Sequence, residues 1–517
     1  MDDLESLVVT EQEVLKILRD LRNRENLKLD AAREYAQQLR HNSEPGTDES
    51  KRAENIFRHP INAFHFITHH TKTWEALREG LRDPATRDSL AKIQDLKNST
   101  KFPDDEDRIG TAHAFWRLQA TYKFHPKDVF NGRIPNTRPT PPFTAREAFI
   151  VGQKQAQDSN FLSALQYLET AVERYHEENV LRPWHGGRLV ELLDWLQFAV
   201  WHSSRNASRA LEISLMIQQL QPTMENLEHN IKTYTDYRAN LTEEQRAEVD
   251  LPPKEYKETA EDGHYERLCR GELNVAPRVH KHQRCYLEDY KNPVLLLQPI
   301  KTEVAHVDPD VFVLHDVFLD SEIKRIRAVS SGVLKRANVI SKGTTGQVTS
   351  SRISKTAFLA DSRDPSIASA SSRSGLVSNL DPKNAEPLQV NNYGIGGMYH
   401  SHFDFFNDPD GHGLHLIKPD QGDRMATFMV YMTDVEVGGA TVFPRINLTI
   451  YPEKGSVAFW FNLYRDGVPD IRTLHSGCPV LAGSKWVANK WYHEVEQDKT
   501  RLCGLQPDSP QEEVVLL

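Results

Sequence analysis

Two side chains in the last third of this 517-residue chain have the spacing of a metal chelate. His402 and Asp404 are separated by one residue in the run YGIGGMYHSHFDFF, residues 393–406. In a β-strand, residues i and i+2 point to the same face, so one imidazole and one carboxylate can share a cation. Iron in oxygenases is bound by two histidines and one carboxylate on one face of the metal. The pair therefore predicts an iron site that needs one more histidine.

An H-x-D pair is weak evidence alone, because the chain has 22 histidines and contains a second such pair, His306 and Asp308. The glycines before the first pair permit tight backbone turns, which distinguish it from the second. The missing histidine has to come from a later strand, and the candidates are His412, His415, His475 and His493. His475 is preferred, because it begins an apolar run that can pair back into a sheet.

Lys485 follows His475 by ten residues across a Gly-Ser turn. On an adjacent strand of a barrel, its ammonium could face the same cavity and bind a carboxylate there. Composition alone favours the alternative, an ordinary solvated lysine on the surface. The role of Lys485 therefore depends on whether a barrel forms.

The segment that carries these residues has the pattern of a β-domain. Short β-branched and aromatic runs separated by glycine, proline and aspartate predict strands. The runs are VFVLHDVF, PLQVNNY, ATFMVYM, TVFP, LTIYP, SVAFWFNLY and KWVANKWYH. Many short strands at this spacing indicate a sandwich or a jelly-roll barrel.

Residues 145–237 instead predict stacked pairs of helices. A tetratricopeptide template puts small or apolar residues where paired helices approach closely, at Gly152, Ala164, Leu168 and Ala171. Such repeats bind peptides on a concave face. The aromatic row Trp195, Phe198 and Trp201, spaced by three, is therefore a candidate peptide contact, and a core stripe at helical spacing is the alternative.

The N-terminal 40 residues place apolar side chains at three- and four-residue steps, which predicts an amphipathic helix. That helix could form a coiled-coil seam or could pack on its own domain. Helical patterns continue to about residue 125, and the proline-rich run NGRIPNTRPTPPF, residues 131–143, predicts a linker. Because the chain is too long for one hydrophobic core, several domains are expected.

Composition narrows the classes of function. The chain is 38% hydrophobic and 26% charged, as soluble globular domains are. A net charge of −10 opposes binding to a phosphate backbone, so nucleic acid is not an expected partner. The chain has no run of 18 apolar residues, so a membrane-spanning helix is not expected. The acidic start MDDLESLVVTEQEV lacks the pattern of a secretory signal and by itself favours a cytosolic protein.

Cysteine spacing and glycosylation motifs favour a lumenal compartment instead. Cys269 with Cys285, and Cys478 with Cys503, are near pairs that would each close a short loop as a local disulfide. Acceptor motifs for N-linked glycans occur at Asn98, Asn206, Asn240 and Asn447. We expect the combination in an oxidising compartment.

Four motifs, in this order, resemble the α-subunit family of collagen prolyl 4-hydroxylase. They are KFPDDEDRIGTAHAFWRLQATY, YGIGGMYHSHFD, GGATVFP and HSGCPVLAGSKWVANKW. The resemblance spans essentially the whole chain and implies a multidomain α + β protein. The implied parts are a helical coiled-coil dimerisation region at 1–130, a tetratricopeptide-like peptide-binding domain at 144–240, a linker with the first cysteine pair at 241–304, and a double-stranded β-helix (jelly-roll) dioxygenase domain at 305–507.

The resemblance also implies roles for individual residues. His402, Asp404 and His475 would bind Fe(II), and Lys485 would bind the distal carboxylate of 2-oxoglutarate. Tyr393 and Thr441 would bond to that same carboxylate, and Arg424 matches an arginine near the peptide site. The implied substrate contacts are Trp195, Phe198, Trp201 and Tyr234, with tryptophan and phenylalanine where relatives have tyrosine. The two near pairs of cysteines match the disulfides of the family.

The activity implied is that of a procollagen-proline 4-dioxygenase, which hydroxylates proline in secreted collagen-like or proline-rich polypeptides. The cosubstrates are O2 and 2-oxoglutarate, which becomes succinate, and L-ascorbate maintains the iron. The family implies an α2β2 tetramer in the endoplasmic reticulum lumen whose β subunit is protein disulfide isomerase. That partner would supply the retention signal, which the terminus EEVVLL lacks. Two alternatives remain open, a catalytically silent scaffold that binds proline peptides and a prolyl hydroxylase of non-collagen substrates.

Overall fold

The computed structural model describes residues 58–68, 105–179, 189–250, 263–273, 284–407 and 414–504, except 338, 342–343 and 348–350, and a few single positions between 26 and 78. The predicted N-terminal coiled coil lies almost wholly outside these residues. The chain forms two compact units, residues 1–57 with 61–112 and residues 58–60 with 113–517. Within the described ranges, no helix has the length and apolar character that a membrane crossing needs.

Helices make up the described residues before position 250. They are α1 (Pro60–Thr68), α2 (Asp105–Tyr122), α3 (Pro126–Phe130), α4 (Ala145–Gln157), α5 (Phe161–Asn179), α6 (Leu189–Ser204), α7 (Ala207–Leu220), α8 (Leu227–Ala239) and α9 (Glu243–Val249). A capping box begins α4, because the Thr144 side chain accepts the Glu147 amide and the Glu147 carboxylate accepts the Thr144 amide. This capping box fixes the first turn of α4 at Ala145.

Helices α4 to α8 pack on one another in chain order. Gly152 allows α4 and α5 to approach closely, because a Cβ at this position would lie 2.7 Å from Cγ of Leu168. Ala164, Leu168 and Ala171 of α5 are fully buried. The positions that the repeat template marked as helix contacts are therefore interior positions.

The C-terminal region is rich in β-structure. Its strands are β1 (Cys285–Glu288), β2 (Ile300–Val307), β3 (Asp310–His315), β4 (Lys335–Arg336), β5 (Val339–Ser341), β6 (Thr344–Gln347), β7 (Lys355–Leu359), β8 (Leu388–Tyr393), β9 (Tyr399–His402), β10 (Arg424–Tyr431), β11 (Val437–Gly438), β12 (Thr441–Phe443), β13 (Leu448–Ile450), β14 (Val457–Phe461), β15 (His475–Gly477), β16 (Val480–Ala482) and β17 (Lys485–His493). Among the described residues of this region, four α-helices accompany the strands, α10 (His264–Cys269), α11 (Pro293–Leu297), α12 (Asp320–Ser331) and α13 (Pro365–Ser378). Each run predicted to be a strand overlaps one.

Two of the sheets enclose the core of this region. The large sheet has the order β1-β2-β3-β14-β10-β17-β8-β7-β4, and the small one has the order β13-β12-β15-β9. Phe443 and Ile450 of the small sheet cluster with Tyr431 and Trp460 of the large sheet. A second cluster joins the opposite face of the large sheet to α12 and α13. Facing sheets with a shared core are the arrangement that the jelly-roll prediction requires.

The large sheet begins earlier than predicted. Strands β1 and β2 belong to it, so residues 285–304 are part of the β-region, and the predicted boundary at 305 is wrong at this point. The reason is exposure: β1 is an edge strand with alternating exposed and half-buried residues, so it lacks the apolar run of a central strand.

The disulfide connectivity also differs from the prediction. Cys269 is bonded to Cys478, 209 residues away in the sequence, while Cys285 and Cys503 are free and exposed. Both predicted pairs, Cys269–Cys285 and Cys478–Cys503, are therefore wrong in this structure. The physical reason is that α10 packs against the small sheet, where Cys269 clusters with Val442 and Cys478. The spacing of the four cysteines in the sequence does not indicate this tertiary contact.

The predicted glycosylation sites differ in exposure. Asn98 lies outside the described residues. Asn206 is buried, because its side-chain oxygen caps α7 by accepting the Arg209 amide. The structure thus opposes the prediction of a glycan at Asn206, because attachment would have to expose this capped side chain. Asn240 and Asn447 are exposed, as a glycan requires.

Candidate active site

The three predicted metal ligands lie together on the small sheet. His402 of β9 is the direct cross-strand partner of His475 of β15, and Asp404 follows two residues after β9. Nε2 of His402 lies 3.8 Å from Oδ1 of Asp404, and Nε2 of His475 lies 3.6 Å from Oδ2. One ligand atom from each residue lies within 4.8 Å of the other two. In the part of the chain that the structure describes, no other group of His, Cys, Asp and Glu meets this condition.

The hydrogen bonds of the two imidazoles suit metal binding. Nδ1 of His402 lies 2.8 Å from the backbone oxygen of His400, and Nδ1 of His475 lies 3.0 Å from that of Thr473. Because a carbonyl oxygen only accepts, each Nδ1 carries the proton and each Nε2 keeps its lone pair. These Nε2 atoms are the ones next to Asp404. Two imidazole nitrogens and one carboxylate oxygen form the donor set of non-haem Fe(II) oxygenases, so the residues fit that metal.

Electrostatics favour the protonation states that a metal needs. Burial, together with the neighbouring His475, lowers the pKa of His402 to about 3. Burial alone would raise the pKa of Asp404, but the nearby His475, His402 and Arg424 outweigh it and lower this pKa to about 2. A neutral imidazole and an ionised carboxylate bind a cation without first losing a proton.

Several residues that support these ligands were not predicted. Oγ1 of Thr427 donates to Oδ2 of Asp404 at 2.7 Å. The Tyr399 ring stacks on that of His402 with centroids 3.6 Å apart, and the Trp460 ring meets His475 edge-on at 4.8 Å. Tyr399 lies in the glycine-rich run before the predicted ligands, and Trp460 lies in a predicted strand, but only the strand register shows which ring meets which histidine.

Lys485 lies between the two facing sheets and is only 3% exposed. It pairs across strands with Tyr393 of β8, and its Nζ donates to Oγ1 of Thr441 at 3.2 Å. Its Nζ also lies 5.9 Å and 5.7 Å from the ring centroids of Tyr393 and Tyr431. The alternative of a solvated surface lysine is therefore wrong. Tyr431 was not predicted, and its hydroxyl donates to Oγ1 of Thr441 at 2.9 Å.

The environment of Lys485 suits an incoming carboxylate. Among the described side chains, no carboxylate forms an ion pair with it. Burial lowers the pKa of Lys485 to about 7, because an ammonium loses its hydration in the protein interior. A carboxylate that enters this pocket would restore the lost favourable interactions, so the pocket is built to bind a small acid.

Arg424, predicted near the peptide site, borders the metal ligands. Its guanidinium bonds to both carboxylate oxygens of Glu386, at 2.5 Å and 2.9 Å, and lies 3.8 Å from the ring centroid of Trp491. One of its terminal nitrogens donates to the backbone oxygen of Asp404 at 3.3 Å. Glu386 was not predicted, because it lies in a loop without any motif.

The other candidate histidines are not in the metal group. Nε2 of His493 lies 3.3 Å from Glu386, and His415 is part of the short 3-10 helix Leu414–Leu416. His412 lies outside the described residues. Of the four candidates, His475 alone joins His402 and Asp404 within the described ranges.

The aromatic row of α6 lies at the surface. Phe198 is 37% exposed, and Trp195 and Trp201 are half-buried, whereas the buried face of α6 consists of Leu192, Leu193, Leu196, Gln197, Ala199 and Val200. The core-stripe alternative is therefore wrong. Tyr234, also predicted to contact substrate, is only 5% exposed and packs on Trp201 with centroids 5.0 Å apart. Tyr234 therefore packs behind Trp201 and adds little accessible surface to the row.

Two parts of the chain match known family models. The family model "Prolyl 4-Hydroxylase alpha-subunit, N-terminal region" matches residues 1–136, and the model "2OG-Fe(II) oxygenase superfamily" matches residues 388–493. The second match contains His402, Asp404, His475 and Lys485.

Curated relatives match over almost the full length. Prolyl 4-hydroxylase subunit alpha-2 of Caenorhabditis elegans is 34% identical, with 98% of this chain and 93% of the relative covered. Prolyl 4-hydroxylase subunit alpha-1 of Homo sapiens is 31% identical, with 96% and 94% covered. A solved viral collagen prolyl hydroxylase from Paramecium Bursaria Chlorella virus-1, in its 2OG complex, is 26% identical and covers 36% of this chain and 96% of its own, with a TM-score of 0.29.

Proposed function

This chain belongs to the prolyl 4-hydroxylase α-subunit family, and we propose that it is the catalytic subunit of an enzyme that hydroxylates proline in secreted collagen-like or proline-rich polypeptides. Its C-terminal region is a 2-oxoglutarate- and Fe(II)-dependent dioxygenase domain. The observation that carries the proposal is the group of His402, Asp404 and His475 in one barrel with the buried Lys485.

The iron would be held by His402, Asp404 and His475, which fit it as described above. Once bound, Fe(II) would supply coordination of the keto acid and reductive activation of dioxygen. The overall conversion turns proline, 2-oxoglutarate and dioxygen into hydroxyproline, succinate and carbon dioxide. Hydroxyproline and succinate each receive one atom of dioxygen, and carbon dioxide is released from the carboxylate next to the keto group of 2-oxoglutarate, so the atoms balance.

The protein itself contributes orientation and exclusion of water. Lys485 binds the distal carboxylate of 2-oxoglutarate through a charge-assisted hydrogen bond, with Thr441 and Tyr393 beside it. Thr427 and Arg424 hold the side chain and the backbone of Asp404, respectively. The rings of Tyr399 and Trp460 cover the two histidines, which keeps water from the reacting atoms.

The direct test is an assay of the full-length protein with Fe(II), ascorbate, 2-oxoglutarate and a (Pro-Pro-Gly)n peptide. We expect succinate and hydroxyproline in equal amounts. A silent scaffold would bind the peptide but release no succinate, which would refute the enzymatic proposal. A glycine-free proline peptide in the same assay separates the two substrate classes, because a non-collagen hydroxylase would prefer it.

We assign α4 to α8 to a tetratricopeptide-like domain that binds the peptide through Trp195, Phe198 and Trp201. A polyproline II strand presents a ring at every third residue, and proline rings stack on aromatic faces. The surface position of the row supports this assignment, and ring contacts extend it from Phe198 to His202 at 4.2 Å and from Trp201 to Tyr237 at 5.0 Å.

Removing one ring of this row is expected to weaken peptide binding alone. In Trp195→Ala, the KM for the peptide should rise about fivefold, since one aromatic contact contributes on the order of 1 kcal/mol, while the KM for 2-oxoglutarate stays unchanged. Met216→Ala is the matched control, because Met216 is exposed on α7 outside the row. Equal peptide KM values in the two variants would contradict the assignment.

The low pKa of Lys485 predicts how binding of 2-oxoglutarate depends on pH. The pKa of the free lysine is about 7, and a bound carboxylate raises it. Above pH 7 the pocket must therefore take up a proton to bind, and the KM for 2-oxoglutarate should rise toward about tenfold per pH unit. Below pH 7 it should be constant. A KM that does not change between pH 6.5 and 8.5, measured at saturating peptide, would contradict this prediction.

We further propose an α2β2 assembly in the endoplasmic reticulum lumen, with protein disulfide isomerase as the β subunit and ascorbate as the reductant for the iron. The match of residues 1–136 to the N-terminal region model supports self-association through that region. The Cys269–Cys478 disulfide supports an oxidising compartment. Measuring the mass of the complex from cells with and without the isomerase tests the assembly.

A further inference from the structure

We propose that residues 114–122, the C-terminal part of α2, form a brace that positions the active-site loops, with Arg117 and Tyr122 as positioning residues. The mechanism above gives this segment no role, although its sequence is one of the four motifs. The inference rests on the proposed function in one respect, because the loops that the brace contacts connect the strands of the proposed iron and 2-oxoglutarate ligands.

The first contact of the brace is with the loop between β8 and β9, which joins Tyr393 to the strand of His402. A Cβ at Gly396 would lie 2.4 Å from Cβ of Ala114, and Gly396 has a φ of +68°. Only glycine suits this combination of backbone conformation and close approach. Nε of Arg117 donates to the backbone oxygen of Gly396 at 3.3 Å. The brace therefore bonds to the loop that leads into β9.

The second contact is with the segment between His475 and Lys485. The Tyr122 hydroxyl donates to the backbone oxygen of Pro479 at 2.5 Å. A Cβ at Gly438 would lie 2.4 Å from this same hydroxyl, and Gly438 pairs with Val480 between β11 and β16. Tyr122 thus occupies a space that Gly438 leaves open. This space lies directly beside the segment that joins His475, a proposed iron ligand, to Lys485, the proposed partner of the 2-oxoglutarate carboxylate.

The end of the brace is attached to the same segment through α10. A terminal guanidinium nitrogen of Arg270 donates to the backbone oxygen of Thr121 at 2.6 Å. The adjacent Cys269 is bonded to Cys478, and the Tyr122 ring packs on the cluster that contains both cysteines. Tyr122 directly, and Thr121 through α10 and the disulfide, therefore both connect the brace to residues 478–480.

At its other end, the brace continues into contacts with the helical layer. Nε2 of His113 lies 3.1 Å from Oδ2 of Asp158, the C-cap residue that follows α4. The ring of Phe115 meets that of Phe143 edge-on with centroids 5.4 Å apart. The brace thus lies between the helices assigned to the peptide and the loops assigned to the iron and 2-oxoglutarate.

Tyr122→Phe in the full-length protein tests the brace, because it removes the hydroxyl and leaves the ring. Hydrogen exchange of the backbone amides of residues 478–484, followed by mass spectrometry without metal or 2-oxoglutarate, should become about tenfold faster. Exchange in β10 should not change. In turnover, the KM for 2-oxoglutarate should rise about three- to tenfold, while the peptide KM stays within about twofold.

The matched control is Tyr167→Phe. Tyr167 is a buried tyrosine whose hydroxyl makes no hydrogen bond to any described residue, so its loss should leave both readouts unchanged. The brace is refuted if Tyr122→Phe exchanges like the wild type, or if exchange accelerates equally in β10, which would indicate general destabilisation. If the wild type releases no succinate, the proposed function fails, whereas the exchange measurement still decides the brace.

Discussion

Replacing His402 with alanine should abolish both iron binding and turnover. The change removes one of two imidazole ligands and leaves Asp404 and His475, and two ligands hold Fe(II) far less tightly than three. We expect a rate of succinate formation at least about 10³-fold lower, which corresponds to a loss of several kcal/mol of metal-dependent stabilisation. Iron content after anaerobic loading and desalting should fall from one per chain to a background value.

The chain itself offers a matched control for this variant. His306 also belongs to an H-x-D sequence, but its Nδ1 lies 2.9 Å from the backbone oxygen of Pro309, and Asp308 pairs with Arg472 at 2.8 Å. His306→Ala should therefore keep its iron and its activity. If His402→Ala retained as much iron as His306→Ala, the assignment of the ligands would be wrong.

Replacing Lys485 with alanine should raise the requirement for 2-oxoglutarate far more than it weakens peptide binding. A charge-assisted hydrogen bond in a desolvated pocket contributes about 3 kcal/mol, so the KM for 2-oxoglutarate should rise about 100-fold. The KM for the peptide should change less than about twofold. Initial rates at saturating concentrations of the other substrate measure each value.

Lys490 supplies the control for a buried lysine in the same strand. It is as buried as Lys485, but it lies five residues further along β17 and so points to the opposite face of the sheet. Its Nζ lies 3.8 Å from Oδ1 of Asp361. Lys490→Ala should leave the KM for 2-oxoglutarate unchanged. Equal increases in both KM values for Lys485→Ala would contradict its assignment to the acid.

The metal group could be predicted from the sequence because part of it is local. The spacing of His402 and Asp404 limits how far apart their side chains can lie, whatever surrounds them. Spacing alone does not select His475 from the four candidates, because its position depends on the register that pairs β15 with β9. Register is a tertiary property, and the family resemblance supplied what the spacing alone left open.

Other features could not be predicted because they depend on tertiary contacts alone. The Cys269–Cys478 bond requires α10 to pack against the small sheet. No local sequence pattern predicts that contact. Glu386 meets Arg424 only because β8 and β10 both flank β17. The aromatic row of α6 could be located from its spacing, but its exposure follows from which face α5 and α7 leave uncovered.

An anaerobic titration of the wild-type chain with Fe(II) and 2-oxoglutarate tests the central claim most directly. It is followed by the visible absorption that Fe(II) gains when it binds a 2-oxo acid. We predict a band that saturates at one equivalent of each per chain, requires more 2-oxoglutarate in Lys485→Ala, and is absent in Asp404→Ala. A wild-type chain without the band, or an Asp404→Ala chain with an unchanged one, would contradict the assignment of the site.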